Sequence, residues 1–446
     1  MHQKTVVAAS LALAGLVGMG AVHAQSKVEL WGIVDSAIRH TNNEGANKGT
    51  KTQMIGGGMS QSRWGVNVEE DMGGGNKALV VLENRFTSDN GNATPDMTPG
   101  VPGPFFQLSY VGLQGPYGRL TMGRQWNVLF DVVTSTYASF PYSPYMDAYK
   151  PELGMAVTGR SSNSLKYNIA NADRSFAAGL QYSFAERNNT AKLEETALSN
   201  TALTAYRGSY TSALAAGAPG ATTLATIRNG ITSNINGTAP TAEGVNIATG
   251  AMQQLGGFLR FSKNGYSLGG GYLRTELPGG SDLDAWTLGG SYRSGSLYLN
   301  LGYGSNTVKR VAATGNFDNY VRGTVRRYLD QKVLDSMWGG QTSGGFQAGD
   351  ADKRQMVKIG FGYQITPQIN AGMHYFHAKQ SGSATGKSTG KANFVVAAVD
   401  YAFSKRTDAY FAVDNTRVSG GADMYIDSDS KSRSRTGITA GLRHRF

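Results

Sequence analysis

The feature that most constrains this chain is a rhythm in how its alternating segments are spaced. Sixteen stretches either alternate apolar and polar residues with a period of two or are rich in aromatic and β-branched residues. They lie near 27–41, 59–71, 76–88, 104–115, 118–126, 161–171, 174–185, 251–263, 265–276, 282–293, 296–308, 354–364, 368–380, 392–402, 407–418 and 433–446. After the second segment every other gap is short: 72–75, 116–117, 172–173, 264, 294–295, 365–367 and 403–406. The remaining gaps are longer: 42–58, 89–103, 127–160, 186–250, 277–281, 309–353, 381–391 and 419–432. A meander with tight turns at one end and long loops at the other is the plan of an outer-membrane barrel. The spacing therefore predicts an all-β fold, a transmembrane antiparallel β-barrel of sixteen strands. An even strand number brings both termini to the tight-turn, periplasmic end.

Alternation by itself also suits a soluble sandwich, so the content of the rows has to separate the two readings. In the last segment Ile438, Ala440, Leu442, His444 and Phe446 share one face, while Gly437, Thr439, Gly441, Arg443 and Arg445 share the other. Val357, Ile359, Phe361 and Tyr363 oppose Lys358, Gly360, Gly362 and Gln364, and Leu297, Leu299, Leu301 and Tyr303 oppose Tyr298, Asn300, Gly302 and Gly304. Rows that end in tyrosine or phenylalanine match the aromatic girdles of membrane barrels. Residues 1–24 combine Lys4, an apolar stretch over 6–22 and Val22-His23-Ala24, the pattern of a cleaved secretory signal. This leaves 25–446 as one barrel domain. No later apolar run reaches the roughly 18 residues a membrane helix needs. Cysteine is absent, while the chain holds 60 glycines, 22 tyrosines and only 16% charged residues. That composition favours strands, turns and interfacial rings.

The runs Ser62 to Phe86, Tyr110 to Gln125, Ser404 to Phe411 and Gly441 to Phe446 resemble the general porins of Gram-negative bacteria, in particular the β-proteobacterial type. The resemblance covers nearly the whole chain after residue 24, apart from two long loops. It implies a sixteen-stranded barrel, a homotrimer, and a third long loop folded into each lumen. It also implies that Phe446 belongs to the signal read by the outer-membrane assembly machinery, a role compatible with one more lipid-facing aromatic.

Lys and Arg outnumber Asp and Glu by 42 to 31, but their placement matters more than the sum. Arg63 shares parity with Gly65 and Asn67, opposite Trp64, Val66 and Val68. Lys77, Glu83 and Arg85 oppose Ala78, Val80 and Leu82, and Lys166 opposes Leu165, Tyr167 and Ile169. Arg160 continues the Lys166 parity. All of these are predicted to face the lumen. Arg124 shares the parity of Leu120 and Met122, which leaves its direction open. Arg63 and Arg160 match positions where the family resembles an arginine ladder. Phe105-Phe106-Gln107 departs from it, because basic residues are common there, and this weakens anion preference or shifts the constriction. Residues 127–160 are too aromatic for an exposed tail and are read as a constriction loop, with Asp131, Asp147 and Glu152 facing the wall cations. Opposed charges across a narrow aqueous gap orient dipolar solutes, and a ring of arginines eases the passage of anions.

Residues 186–250 are rich in Ala, Thr, Asn and Gly and read as an exposed cap. In 309–353, apolar residues recur near helical spacing from Phe317 to Leu334 and predict a short helix at the entrance. Catalytic patterns are weak. Gly386-Lys387-Ser388-Thr389-Gly390 lacks the strand and helix of a phosphate loop, with Ser381 where its first glycine belongs. His374 and His377 fall on opposite strand faces, and Asp427 and Asp429 lack the other ligands of a calcium loop. The reading is a channel for passive diffusion of small hydrophilic solutes and ions, anion-preferring, with no enzyme activity, cofactor or metal. Its partners are outer-membrane lipid, lipopolysaccharide, copies of itself and the assembly machinery, without nucleic acid. A substrate-selective porin and an occluded barrel serving as adhesin or receptor are the alternatives.

Overall fold

The computed structural model describes residues 26–93, 105–138, 159–185, 200–216, 252–277, 279–312, 317–334, 350–426 and 430–446. The expected signal segment 1–24, and Asp147 and Glu152 of the expected constriction loop, lie outside these residues. The strands are β1 (Lys27–Glu44), β2 (Gly49–Gly56), β3 (Arg63–Gly73), β4 (Asn76–Arg85), β5 (Phe106–Gly115) and β6 (Gly118–Trp126). They continue with β7 (Arg160–Ala170), β8 (Phe176–Ser183), β9 (Gln254–Lys263), β10 (Tyr266–Glu276), β11 (Asp282–Ser294) and β12 (Leu297–Lys309). The last five are β13 (Lys353–Gln364), β14 (Ile369–Ser381), β15 (Gly390–Ala402), β16 (Thr407–Gly420) and β17 (Ser434–Arg445). Among the described residues three helices interrupt them: α1 (Val128–Thr136), α2 (Asn200–Ala215) and α3 (Phe317–Leu334).

All strand pairs are antiparallel, and β1 closes the sheet by pairing with β17 from Ile33↔Arg445 to Thr41↔Gly437. β1 also pairs with β2 through one half and with β3 through the other. β2 and β3 are therefore two pieces of a single stave, and the closed barrel has sixteen staves. A barrel satisfies every ladder group without leaving an edge. No helix among the described residues is long and apolar enough to cross a membrane.

The strand faces follow the sequence parity. Ile359 and Leu301 on the outward rows are 55% and 56% exposed, whereas Lys358 beside them is fully buried on the inner side. Val357, Phe361, Tyr363, Leu299, Ile438 and Leu442 also point outward and exposed. The first strand meets the C-terminal residue where the tight turns are. Gly32 and Phe446 exchange two backbone hydrogen bonds of 3.1 Å, and a Cβ at residue 32 would meet the Phe446 ring.

Two regions depart from the expectation. The segment 42–58 is not a long loop. β1 runs to Glu44, a turn at 45–48 follows, and β2 returns along β1. The wall breaks instead at 57–62. There Asp35 of β1 accepts from the backbone N–H of Gly58, Met59 and Ser60 at 3.1, 3.1 and 2.6 Å, and from the Tyr410 hydroxyl at 2.6 Å. Residues 42–58 lack an apolar row, so period-two reading passed over a hairpin held by backbone pairing. In the expected cap 186–250, residues 200–215 form α2. α3 lies where helical spacing placed it. Its Asp330 is buried and accepts from Gly279 N at 2.6 Å and Ser281 N at 3.1 Å, which ties the helix to the turn between β10 and β11. Burial pushes this carboxyl up from its usual range, against those hydrogen bonds.

Candidate functional site

Two pieces of chain pack against the inner face of the barrel. The first is α1, which starts as β6 ends. Asn127 caps it by accepting from Phe130 N at 2.9 Å, and Asp131 in the first turn complements the helix dipole. Val128 N donates to the Gln181 side chain at 3.0 Å, so the helix leans on the inner face of β8. Val128 and Leu129 pack with Leu273 and Ala285 from the inner rows of β10 and β11, with Phe258 of β9 alongside. The end of α1 is fastened further round. Tyr137 is buried against Gly289 and Gly302, where a Cβ would strike its ring, and Lys358 Nζ lies 4.8 Å from the ring centroid. Its hydroxyl pairs with Thr287, Ser291 Oγ donates to Thr136 O at 2.5 Å, and Tyr298 Oη donates to Ala138 O at 2.8 Å.

Facing this helix is a cationic wall. Arg63 and Arg85 are direct cross-strand partners on the inner face of β3 and β4. Like charges so placed repel, and Glu83 sits between them. Arg85 Nε donates to Glu83 at 2.7 Å, Arg63 Nε stands 4.0 Å from the same carboxylate, and Arg85 Nη1 donates to Gln61 at 2.6 Å. Trp126 joins wall and helix, because its ring stacks on Phe130 with centroids 3.6 Å apart. The guanidiniums of Arg160 and Arg85 lie 4.1 and 5.1 Å from the indole centroid, which suits cation–π attraction. Lys166 Nζ donates to Asp131 at 2.5 Å and to Trp126 O at 2.9 Å. Burial pushes the Asp131 carboxyl up, against the pull of Lys166 and Arg119.

Arg63, Arg85 and Lys166 thus reach the inner face, as their parity predicts; the Arg160 guanidinium reaches it too, although a bulge in β7 separates Arg160 from the parity of Lys166. Arg124 stands opposite a bulge in β7, where Gly123 pairs with Ser164 and Gln125 with Ser161, so that two residues of β7 oppose it. Arg124 is half-buried, donates to Ser162 Oγ at 2.6 Å and adds its field to that of Arg85 and Arg63 at Arg160. Asp131 meets a wall cation, as expected of the loop acids, though that cation is a lysine.

The closed sixteen-stave barrel has counterparts among known proteins. Residues 8–421 match the Gram-negative porin family. The chain belongs to this family. Outer membrane porin protein 32 of Delftia acidovorans is 28% identical over 374 residues, 78% of this chain and 97% of that protein. An outer membrane porin of Bordetella pertussis is 31% identical over 205 residues, 42% of this chain, which spans only 50% of that protein. Among solved structures, the anion-selective porin from Comamonas acidovorans superposes with a TM-score of 0.61 at 21% identity, covering 95% of this chain and all of that one. OmpT of Vibrio cholerae gives 0.57 at 10% identity, with 95% and 100% covered. Its family and architecture place this porin in the outer membrane.

The porin carries inner-face groups that parity alone did not single out. Arg39 of β1 donates to Asp414 of β16 at 2.6 and 2.9 Å and to Thr439 at 2.8 Å. Arg443 and Arg445 of β17 both pair with Asp408, at 3.0 and 2.5 Å, and Arg443 also donates to Ser60 Oγ at 2.6 Å. Arg443 and Arg445 add to the field at Arg63, so the cationic wall extends past the closure seam. The alternation of the last segment held the signal, since both arginines lie opposite its apolar row.

The second inward piece was not foreseen. Residues 421–426, after β16, fold over the inner face of β13 to β16. There Met424 and Ile426 are buried with Met356, Phe376, Phe394, Val396 and Val418. The inner rows of these strands are apolar near the long-loop rim, and the covering segment takes them out of water. Of the histidines, His374 is buried inward and hydrogen-bonds Asn300 at 3.1 Å, while His377 lies on the outward row with Asn393. The described residues hold no cluster of three or more metal-ligating side chains.

Proposed function

We propose that this porin is a passive diffusion channel for small hydrophilic solutes with a preference for anions. The observation that carries the reading is the group of Arg63, Arg85 and Arg160 gathered around one carboxylate, Glu83, with Arg124 near Arg160, opposite a helix lodged in the lumen. In a confined aqueous passage an excess of guanidinium lowers the barrier for anions, while Asp131 gives the opposing side a local negative charge. The anion-selective Comamonas porin supports the same sign. Residues 127–160 serve as the constriction loop, with Arg63, Arg85, Arg160, Lys166 and Asp131 as its lining. Both termini and the tight turns face the periplasm, the chain works as a homotrimer, and Phe446 acts as an assembly address. The trimer form of Vibrio cholerae OmpT supports the oligomeric state.

Planar-bilayer recording of the purified porin is expected to show steady conductance and a reversal potential in a salt gradient set by the anion. Absence of conductance, or cations crossing more readily, overturns the reading. Arg63→Glu with Arg160→Glu is expected to move the reversal potential towards cations. The preference shrinks towards 1 M salt, where screening acts over about 3 Å. Because cysteine is absent, Thr385→Cys and Tyr117→Cys report orientation cleanly. The first is expected to react with an impermeant thiol reagent on intact cells, and the second only after the membrane is opened.

A further inference from the structure

The outward rows of β13 to β16 change polarity in the same three steps as they approach the long-loop rim. On β13 the order is Val357, Gln355, Lys353; on β14 it is Tyr375, His377, Lys379. On β15 it is Val395, Asn393, Lys391, and on β16 Val413, Asn415, Arg417. The register ties the tiers together. Lys379 and Lys391 are direct cross-strand partners, while Lys353 and Arg417 are diagonal neighbours of that pair. The drift across hydrogen-bonded rows is what tilted strands require of a plane parallel to the membrane. Each tier is thus a horizontal belt: apolar, then amide and imidazole, then cationic.

The middle tier satisfies itself. Tyr375 Oη donates to Asn393 Oδ1 at 2.7 Å, His377 Nδ1 lies 2.8 Å from the same oxygen, and Gln355 Nε2 donates to Tyr303 Oη at 2.5 Å. The cations above are in a different position. Lys353, Lys379, Lys391 and Arg417 are exposed and pair with no acid among the described residues, although Lys379 and Lys391 stand directly opposed. Like charges so placed destabilise a sheet unless something neutralises them. On the neighbouring β10 to β12 the same level is neutralised internally, since Arg274 and Lys309 share Asp284 at 2.9 and 2.6 Å. At the opposite rim the outward rows of β13 to β16 end in Tyr363, Ile369, Tyr401 and Ala409, without charge. The cations there, Lys405 and Arg406, belong to a turn.

We propose that Lys353, Lys379, Lys391 and Arg417 form a docking stripe for the phosphate groups of an anionic glycolipid in the membrane leaflet at the long-loop rim. Charge complementarity and the apolar belt two residues below commit the occupant: acyl chains lie on Val357, Tyr375, Val395 and Val413 while phosphates reach the cations. Juxtamembrane clusters of Lys and Arg attract anionic headgroups in this way. The stripe rests on the barrel spanning the outer membrane, and not on its conductance.

The test uses the full porin in neutral detergent, with native mass spectrometry of bound bis-phosphorylated lipid A, its dephosphorylated form and inorganic phosphate. Lys379→Gln with Lys391→Gln is expected to weaken retention of the phosphorylated lipid by roughly tenfold or more. Lys405→Gln with Arg406→Gln removes the same charge from the other rim and is expected to leave retention unchanged. Neither the dephosphorylated lipid nor free phosphate is expected to distinguish the proteins. A second readout guards against misfolding. Without lipid the stripe variant melts no lower than the parent, because a repulsive pair is gone, and only the parent gains from lipid A. Equal retention by both variants, an equal loss in both, or a change in oligomer size without any change in lipid overturns the stripe. Conductance without lipid binding refutes the stripe alone, and lipid binding without conductance refutes the pore alone.

Discussion

Arg39 and Asp414 show what a charge inside this barrel requires. The pair joins residues 375 positions apart, with side chains 7% and 5% exposed. Removing one member strands the other, so Asp414→Ala is expected to cost about 3 kcal/mol, read from denaturant unfolding in micelles. Arg39→Met combined with Asp414→Leu is expected to recover most of that, since a buried pair is close to interchangeable with apolar groups. Lys27 and Glu29 provide the contrast. Their side chains are 68% and 51% exposed, and Glu29→Gln is expected to cost under about 1 kcal/mol. A loss for Glu29→Gln as large as that for Asp414→Ala contradicts the burial argument.

Among the elements, α1 is fixed at both ends, by Asn127 and Gln181 at its start and by Tyr137 at its finish. Gly289 and Gly302 matter here as absences of side chain, since a Cβ at either would lie 2.6 Å from the Tyr137 ring. Truncating a buried aromatic costs about 3–5 kcal/mol, enough to release this end of the helix. Tyr137→Ala is therefore expected to raise single-channel conductance, whereas Tyr137→Phe keeps the ring in its socket and leaves conductance near the parent value. Unchanged conductance in Tyr137→Ala means that the end of α1 does not limit flow. Helical spacing reached α3 but missed α1, because 127–160 was read by its aromatics and its function without a period.

For the whole molecule the decisive step is closure of β1 on β17, a pairing that joins the first and last strands. Phe446 sits at that seam with its backbone paired to Gly32 and its ring 48% exposed. Phe446→Ser keeps the backbone pairing. It is expected to refold in detergent to parental yield, followed by the heat-induced mobility shift of closed barrels, but to accumulate poorly in the outer membrane of cells. Equal losses in the tube and in the cell assign the ring to closure instead of to an address. Closure also explains the extent of the cationic wall, for it sets Arg445 and Arg63 on either side of Ile33.

What the sequence by itself determined is the part of this porin that is local to one strand. Period-two alternation assigns each side chain to a face, so the sixteen staves, the outward apolar rows and the inward course of Arg63, Arg85 and Lys166 were legible residue by residue. The hairpin at 45–48 escaped because backbone pairing, not an apolar row, holds it. Tertiary structure alone decided which charges meet, as in Arg39 with Asp414 and Lys166 with Asp131, and that Arg124 would donate to Ser162 at the bulge of β7. It also decided that residues 421–426 would fold inward over Phe376 and Phe394. Parity names the face a residue occupies; what lies across the lumen from it depends on how the sheet curls and closes, and no single strand encodes that.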